Sequence, residues 1–209
     1  MKFLKTFKNR KKISHVSDAE ERYVALQLMR NFTSGDYAVI SNVLIPYSGR
    51  IGTSQIDHIV VSIYGIFCIE TKSHKGWILG SKARGIFTQV LYRNKYPIVP
   101  NPVIQNETHI NALKELLGNK VKAPIVNIVV FPSADKFIMD GYENVGSMND
   151  LYDIISSRHG KVYLYKEAKE IIDRISKANM KHPEVHAYHA RNVRNVYAPR
   201  TLVWLRSTS

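Results

Sequence analysis

Between Ile56 and Lys72 the chain reads IDHIVVSIYGIFCIETK, two β-branched runs meeting at Tyr64-Gly65. Such runs around a turn-forming pair predict a β-hairpin, and one this apolar has to be covered by other elements. Three charged residues interrupt it: Asp57, Glu70 and Lys72. A turn centred on Tyr64-Gly65 sets Ile59 opposite Glu70 and Asp57 opposite Lys72. Because side chains alternate with a period of two, Asp57, Glu70 and Lys72 then share one face. Asp57 and Glu70 become diagonal neighbours, about 7–8 Å apart at the backbone. Carboxylates that converge repel one another unless a cation lies between them, and hard oxygen ligands select Mg²⁺, Mn²⁺ or Ca²⁺. An ammonium on the same face could orient a water or steady negative charge developing on a phosphate while a metal polarises the phosphoryl oxygen. Spacing alone leaves a second reading open, that of a solvated, salt-bridged sheet face.

The segments around the hairpin predict what covers it. Ser17-Asp-Ala-Glu20 is a capping-box pattern that starts a helix over about 18–31. YAVISNVLI (37–45) reads as a strand, and two shorter strands are expected near 76–80 and 86–92. Asn101-Pro102 supplies an N-cap and a first-turn proline for a helix to Leu117, ended by Gly118. APIVNIVVF (123–131) is apolar almost throughout, as befits a strand covered on both faces. Ser147 caps a helix over 148–157, VYLY (162–165) is a candidate last strand, and KEAKEIIDRISKAN has amphipathic helical spacing. Nothing after Lys181 is periodic. The expected organisation is a basic arm at 1–16, a core at 17–135, an α/β part packed on it at 136–180 and a basic tail at 181–209.

Charge is placed unevenly along the 209 residues. Residues 1–12 carry a net +6 and residues 178–209 a net +4, leaving +3 of the total +13 for everything between. Within that middle, residues 71–106 hold six cations and no acid, whereas 135–153 hold five acids against Lys136. Basic ends and a basic side favour a polyanionic partner, nucleic acid before anionic membrane. The single Cys68 can form no internal disulfide, which favours the cytoplasm. The positive N-terminus is followed by no signal-like apolar stretch, and no run of about 18 apolar residues predicts a membrane span. His58 falls on the hairpin face opposite Asp57 and is expected in the core. His182, His186 and His189 are expected in the solvated tail, Cys68 as an apolar filler, and Tyr92, Tyr96 and Tyr163 to Tyr165 in packing rather than base stacking.

An Asp followed thirteen residues later by Glu-x-Lys, set in a hairpin that a strand precedes and a helix follows, resembles the catalytic core of the PD-(D/E)XK nuclease superfamily. The match is closer to the nuclease-related domain (NERD) family. Its motifs occur in order as the Glu21-x-x-Val24 helix, GTSQIDHIVVSIYGIFCIETKS with the following Gly76, and NPVIQNETHINAL (101–113), covering about residues 18 to 131. The resemblance implies an α/β (α+β) fold with a restriction-endonuclease-like core, a central mixed β-sheet flanked by helices, here with basic terminal extensions. It implies that Asp57 and Glu70 bind the metal with the backbone carbonyl of Thr71, that Lys72 is the catalytic lysine, and that Glu21 and Gln105 face the same site. Three positions depart from the pattern. Ile56 stands where the superfamily has Pro, Phe87 where the family often has Trp, and Glu20 where it usually has Gly, so that Glu20 competes with Glu21. The implied activity is Mg²⁺-dependent hydrolysis of DNA phosphodiesters, with Mn²⁺ as a substitute. A non-cleaving docking module on the same fold is the alternative. The expected partner is nucleic acid, DNA first, with a helicase or other DNA-processing protein and a second copy of the chain as further candidates.

Overall fold

The computed structural model of the protein describes residues 19–98 and 100–197. Ser17, the arm at 1–16 and residues 198–209 lie outside them. Five strands form a first sheet: β1 (Tyr37–Pro46), β2 (Thr53–Ser62), β3 (Gly65–Thr71), β7 (Val126–Val130) and β9 (Val145–Gly146), side by side in that order. The strands β1, β2 and β3 run antiparallel, and β3, β7 and β9 run parallel. A second sheet has the order β6-β5-β4-β8, from β4 (Gly76–Ser81), β5 (Ile86–Leu91), β6 (Asn94–Ile98) and β8 (Ala134–Asp140). Here β4, β5 and β6 are antiparallel, and β8 lies parallel to β4. Both β3→β4 and β7→β8 therefore step from the first sheet to the second.

The helices are α1 (Ala19–Asn31), α2 (Pro102–Leu117), α3 (Met148–Ser156), α4 (Tyr165–Ala178) and α5 (Pro183–Tyr197). One face of the first sheet offers Ile59, Val61, Ile66 and Cys68 to Ile110 and Leu113 of α2 and to Ile171 and Ile175 of α4. The other face packs Val60, Phe67, Ile69, Ile128 and Val130 against Val24 and Leu28 of α1 and Leu151 and Ile155 of α3. Covered on both sides, β3 is buried along its whole length. Mixed sheets between helices are the architecture expected of a restriction-endonuclease-like core. Among the described residues no helix is long and apolar enough to cross a membrane.

Helix α2 begins and ends where its signals place it. The Asn101 side chain accepts from Val103 N and Ile104 N, Pro102 is the first residue, and Gly118 closes the helix at φ 57°. Four expectations are corrected. The hairpin pairs His58 with Ile69 and Ser62 with Gly65, so its two-residue turn is Ile63-Tyr64, one residue earlier than expected. The Ser62 hydroxyl fixes that turn by accepting from Tyr64 N and donating to the Gly65 carbonyl. Opposition shifts by two residues, which preserves the face of every side chain. VYLY is not a strand: Val162 N and Tyr163 N both donate to the Ile63 carbonyl, and Leu164 N is capped by Glu167. Strand β8 runs across position 135, tying the expected 136–180 part into a sheet with β4. The expected tail contains α5, whose His189 is only 7% exposed.

Candidate metal centre

The carboxyl end of β3 and the stretch of β2 beside it meet α2 at a buried polar corner. Glu70 is 2% exposed. Its Oε1 accepts from Lys72 Nζ at 2.7 Å and from Gln105 Nε2 at 2.8 Å. Lys72 Nζ also donates to Gln105 Oε1 at 3.0 Å, closing a triangle of three side chains. The Oε2 atom has no hydrogen bond, and His109 Nε2 stands 3.4 Å from it. Asp57 Oδ2 accepts from the Thr71 backbone N–H at 2.8 Å across the hairpin. Glu21, at the start of α1, is near enough for its charge to act on Asp57, whereas Glu20 accepts from Ser133 Oγ at 3.3 Å. The structure thus gathers Asp57, Glu70, Thr71, Lys72 and Gln105, with Glu21 alongside.

Electrostatics separates the two acids. Burial, reinforced by the Glu70 and Glu21 charges, pushes the Asp57 carboxyl well above its ordinary range, against the Thr71 N–H and Lys72. Burial pushes Glu70 upward too, but His109 and Lys72 outweigh it and its carboxyl lies below its ordinary value. Among the described residues no three His, Cys, Asp or Glu side chains close around a common point. The fit to a divalent cation therefore rests on two hard carboxylates that crowd one another and on the buried Glu70 Oε2 without a hydrogen bond. A hard cation would relieve both.

Residues to which the sequence alone gives no role stand at the same corner. His109, one helical turn after Gln105, shares a 2.7 Å hydrogen bond between its Nδ1 and Ser54 Oγ. Next to Ser54, Thr53 Oγ1 shares another with His189 Nδ1 of α5, also 2.7 Å. Both Ser54 and His109 belong to the quoted motifs, so their signal was present. His189 had none, because the face of α5 that carries it is not an apolar stripe. His74, just past Lys72, packs edge-on against Phe131 with ring centroids 6.1 Å apart. His58, on the opposite hairpin face as expected, is buried with Nδ1 2.9 Å from Ser41 Oγ, and burial lowers its pKa to about 4. Cys68 is buried as expected, and its thiol also donates to Asn106 Oδ1 at 3.1 Å. Phe87 stacks on Phe131 and meets Tyr142 at a tilt in the core between the sheets, a packing role.

Comparison with known families decides the lineage. The nuclease-related domain matches residues 17–132 of this sequence, more than half of it. The chain belongs to the NERD family. An uncharacterized protein of Bacillus anthracis is 30% identical over 166 residues, which cover 78% of this chain and 76% of that protein. No solved structure matches. The NERD region contains the whole Asp57–Glu70–Lys72–Gln105 group together with Ser54 and His109, whereas α5 and its His189 lie beyond it.

Proposed function

We propose that this NERD protein is a divalent-metal-dependent nuclease that hydrolyses DNA phosphodiester bonds. The observation that carries the reading is the convergence of Asp57, Glu70, Lys72 and Gln105 on one buried corner, where Glu70 Oε2 has no hydrogen bond. Asp57, Glu70 and the Thr71 carbonyl would hold the cation, with Glu21 beside them. When bound, Mg²⁺ or Mn²⁺ would supply Lewis-acid polarisation of the scissile phosphate. Gln105 and Glu70 orient the Lys72 ammonium by accepting two of its three N–H groups, leaving a donor for the phosphate oxygen on which charge accumulates. In the hydrolysis a water oxygen bonds to phosphorus, one bridging P–O bond breaks, and the proton released by the water ends on the leaving alkoxide.

The test is cleavage of labelled linear, circular and single-stranded DNA with Mg²⁺, Mn²⁺ or chelator. Cleavage by the wild type should require the metal, and Asp57→Ala, Glu70→Ala and Lys72→Ala should each abolish it. In calorimetric titration with Mn²⁺, Lys72→Ala should still bind while Asp57→Ala should not, since of these two side chains only the carboxylate can ligate a hard cation. Wild-type cleavage by any of the three variants overturns the assignment of roles. A folded wild type that cuts no substrate under any of these conditions overturns the nuclease reading.

A further inference from the structure

The second sheet begins four residues past Lys72, and only one of its faces is packed. Ile78, Phe87 and Ile98 are buried there with Phe137 and Met139 against them. On the other face the strand registers set Lys136, Trp77, Val90 and Lys95 in one row across β8, β4, β5 and β6. The next row on that face holds Ile138, Leu79, Thr88 and Pro97. Among the described residues this face stays open: Trp77 is 47% exposed, and Ile86 and Ile138 are exposed with it. Lys136 Nζ lies 4.6 Å from the centroid of the Trp77 ring.

The hairpin between β5 and β6 ends in Tyr92-Arg93, a two-residue loop with φ of 47° and 71°. Positive φ at both positions suits Asn-Gly far better than an aromatic and a long cation. Tyr92 is 96% exposed, so packing does not hold it there. Strain kept at a solvent-exposed aromatic points to use of the side chain. The charge of the region has one sign over a long stretch. From residue 71 to 106 the cations are Lys72, Lys75, Lys82, Arg84, Arg93 and Lys95, without an acid, and β8 adds Lys136 between Asp135 and Asp140. Asp140 is engaged by Ser81 Oγ at 3.0 Å.

We propose that the outer face of the second sheet, with Trp77 and Tyr92 as its aromatic stations, is a platform for single-stranded DNA leading to the Lys72 site. The proposal rests on the nuclease reading and deepens it by naming the form of substrate and the surface that presents it. Aromatic side chains interleaved with cations fit a single strand, whose bases offer stacking faces while its phosphates meet lysine and arginine. A duplex keeps its bases stacked inside and would leave both rings unused. Five residues of extended chain span at most roughly 17 Å, so a strand resting on Trp77 lies within a few nucleotides of Lys72.

The experiment separates binding from cleavage by working in chelator. The chain has two tryptophans, Trp77 and Trp204, so a W204F background makes Trp77 the sole indole fluorophore. Titration with an oligo(dT) of about 16 nucleotides, the upper site size of a single-strand-binding fold, should quench it saturably. In anisotropy with the labelled oligonucleotide, W77A and Y92A should each weaken binding roughly tenfold, while W77F and Y92F keep it. K95A and K136A should each flatten the plot of log affinity against log salt by about 0.7. Binding that leaves Trp77 fluorescence unchanged, or W77A and Y92A binding as wild type, overturns the platform. Equal quenching by a blunt duplex overturns the single-strand assignment. Self-association that W77A abolishes would give the face to a second copy of the chain and overturn it as well. A W77A/Y92A double variant that binds and cuts normally retires the platform and leaves the nuclease reading intact. Trp77-dependent binding without cleavage in Mg²⁺ or Mn²⁺ retires the nuclease reading alone.

Discussion

Glu70 and His189 show two ways of managing a titratable group away from water. Glu70 keeps its charge because an ammonium and an imidazole are in contact with it, and those neighbours are themselves held in place by it, which fixes where Lys72 and His109 sit. His189 gives its charge up. Burial, with the His109 and His186 charges behind it, lowers its pKa to about 4, and the neutral ring shares its hydrogen bond with Thr53. Its folded value lies below the 6.5 of an unperturbed histidine, so the unfolded chain takes up a proton that the folded chain refuses. The stability this gives is complete above pH 6.5 and is lost as pH falls toward 4. The effect is felt first where α5 leaves the domain on its own before global unfolding. Limited proteolysis within α5 should therefore be faster at pH 5 than above pH 7. His189→Gln, which can bond Thr53 but does not titrate, should remove most of that difference. An undiminished difference in His189→Gln would show that other groups govern the acid response.

At the scale of elements, α2 carries the site. Asn106 is buried at its centre, and its Nδ2 reaches the Cys68 carbonyl at 2.8 Å, Asn127 Oδ1 at 2.7 Å and the Ile128 carbonyl at 3.1 Å. One side chain thus clamps the helix to β3 and β7, which places the neighbouring Gln105 on Glu70 and Lys72. Asn106→Leu is similar in size but strands those acceptors. It should cost about 3 kcal/mol, lowering Tm by roughly 6–12 °C and cleavage along with it. A Tm within about 2 °C of wild type, under 1 kcal/mol for a chain this long, would deny the clamp. The sequence made α2 legible because its limits are set by local chemistry, Asn101-Pro102 at one end and Gly118 at the other. The shared face of Asp57, Glu70 and Lys72 was legible for a different reason. A two-residue shift in opposition keeps parity, so placing the turn at Tyr64-Gly65 instead of Ile63-Tyr64 left the site intact. What stayed hidden was held by long-range or polar contacts. Strand β8 exists as a partner of β4, and the hold of α5 on β2 includes the pairing of His189 with Thr53, which no apolar period announces. Tyr92 and Tyr96, expected in packing, are exposed, the first in the β5–β6 turn and the second on the edge strand β6.

For the whole molecule, charge and chemistry fall on different stretches of the sequence. The first twelve residues and those from 178 onward hold +10 of the net +13, while the candidate metal ligands sit at the junction of β3 and α2. Cations of this kind mostly touch phosphate without reading sequence, so the ends should set affinity and its salt dependence, and the buried corner should set turnover. Removing residues 178–209 would confound the two, since it takes away α5 and the His189–Thr53 bond. Deleting residues 1–12 is the cleaner cut, for it removes six cations and none of the residues assigned to the metal centre or the sheet platform. Every cation withdrawn from a phosphate flattens the plot of log affinity against log salt by about 0.9 for duplex DNA and about 0.7 for a single strand. If three of the six cations bind phosphate, the slope should fall by roughly 2.7 or 2.1 respectively. Turnover at saturating DNA should stay near that of the full chain, because no group that touches the scissile phosphate has been removed. Fluorescence anisotropy over a salt series on both chains, with duplex and single-stranded probes, measures the slopes directly. An unaltered slope would remove the arm from DNA binding, and a changed turnover at saturation would bring it into the chemistry of the site.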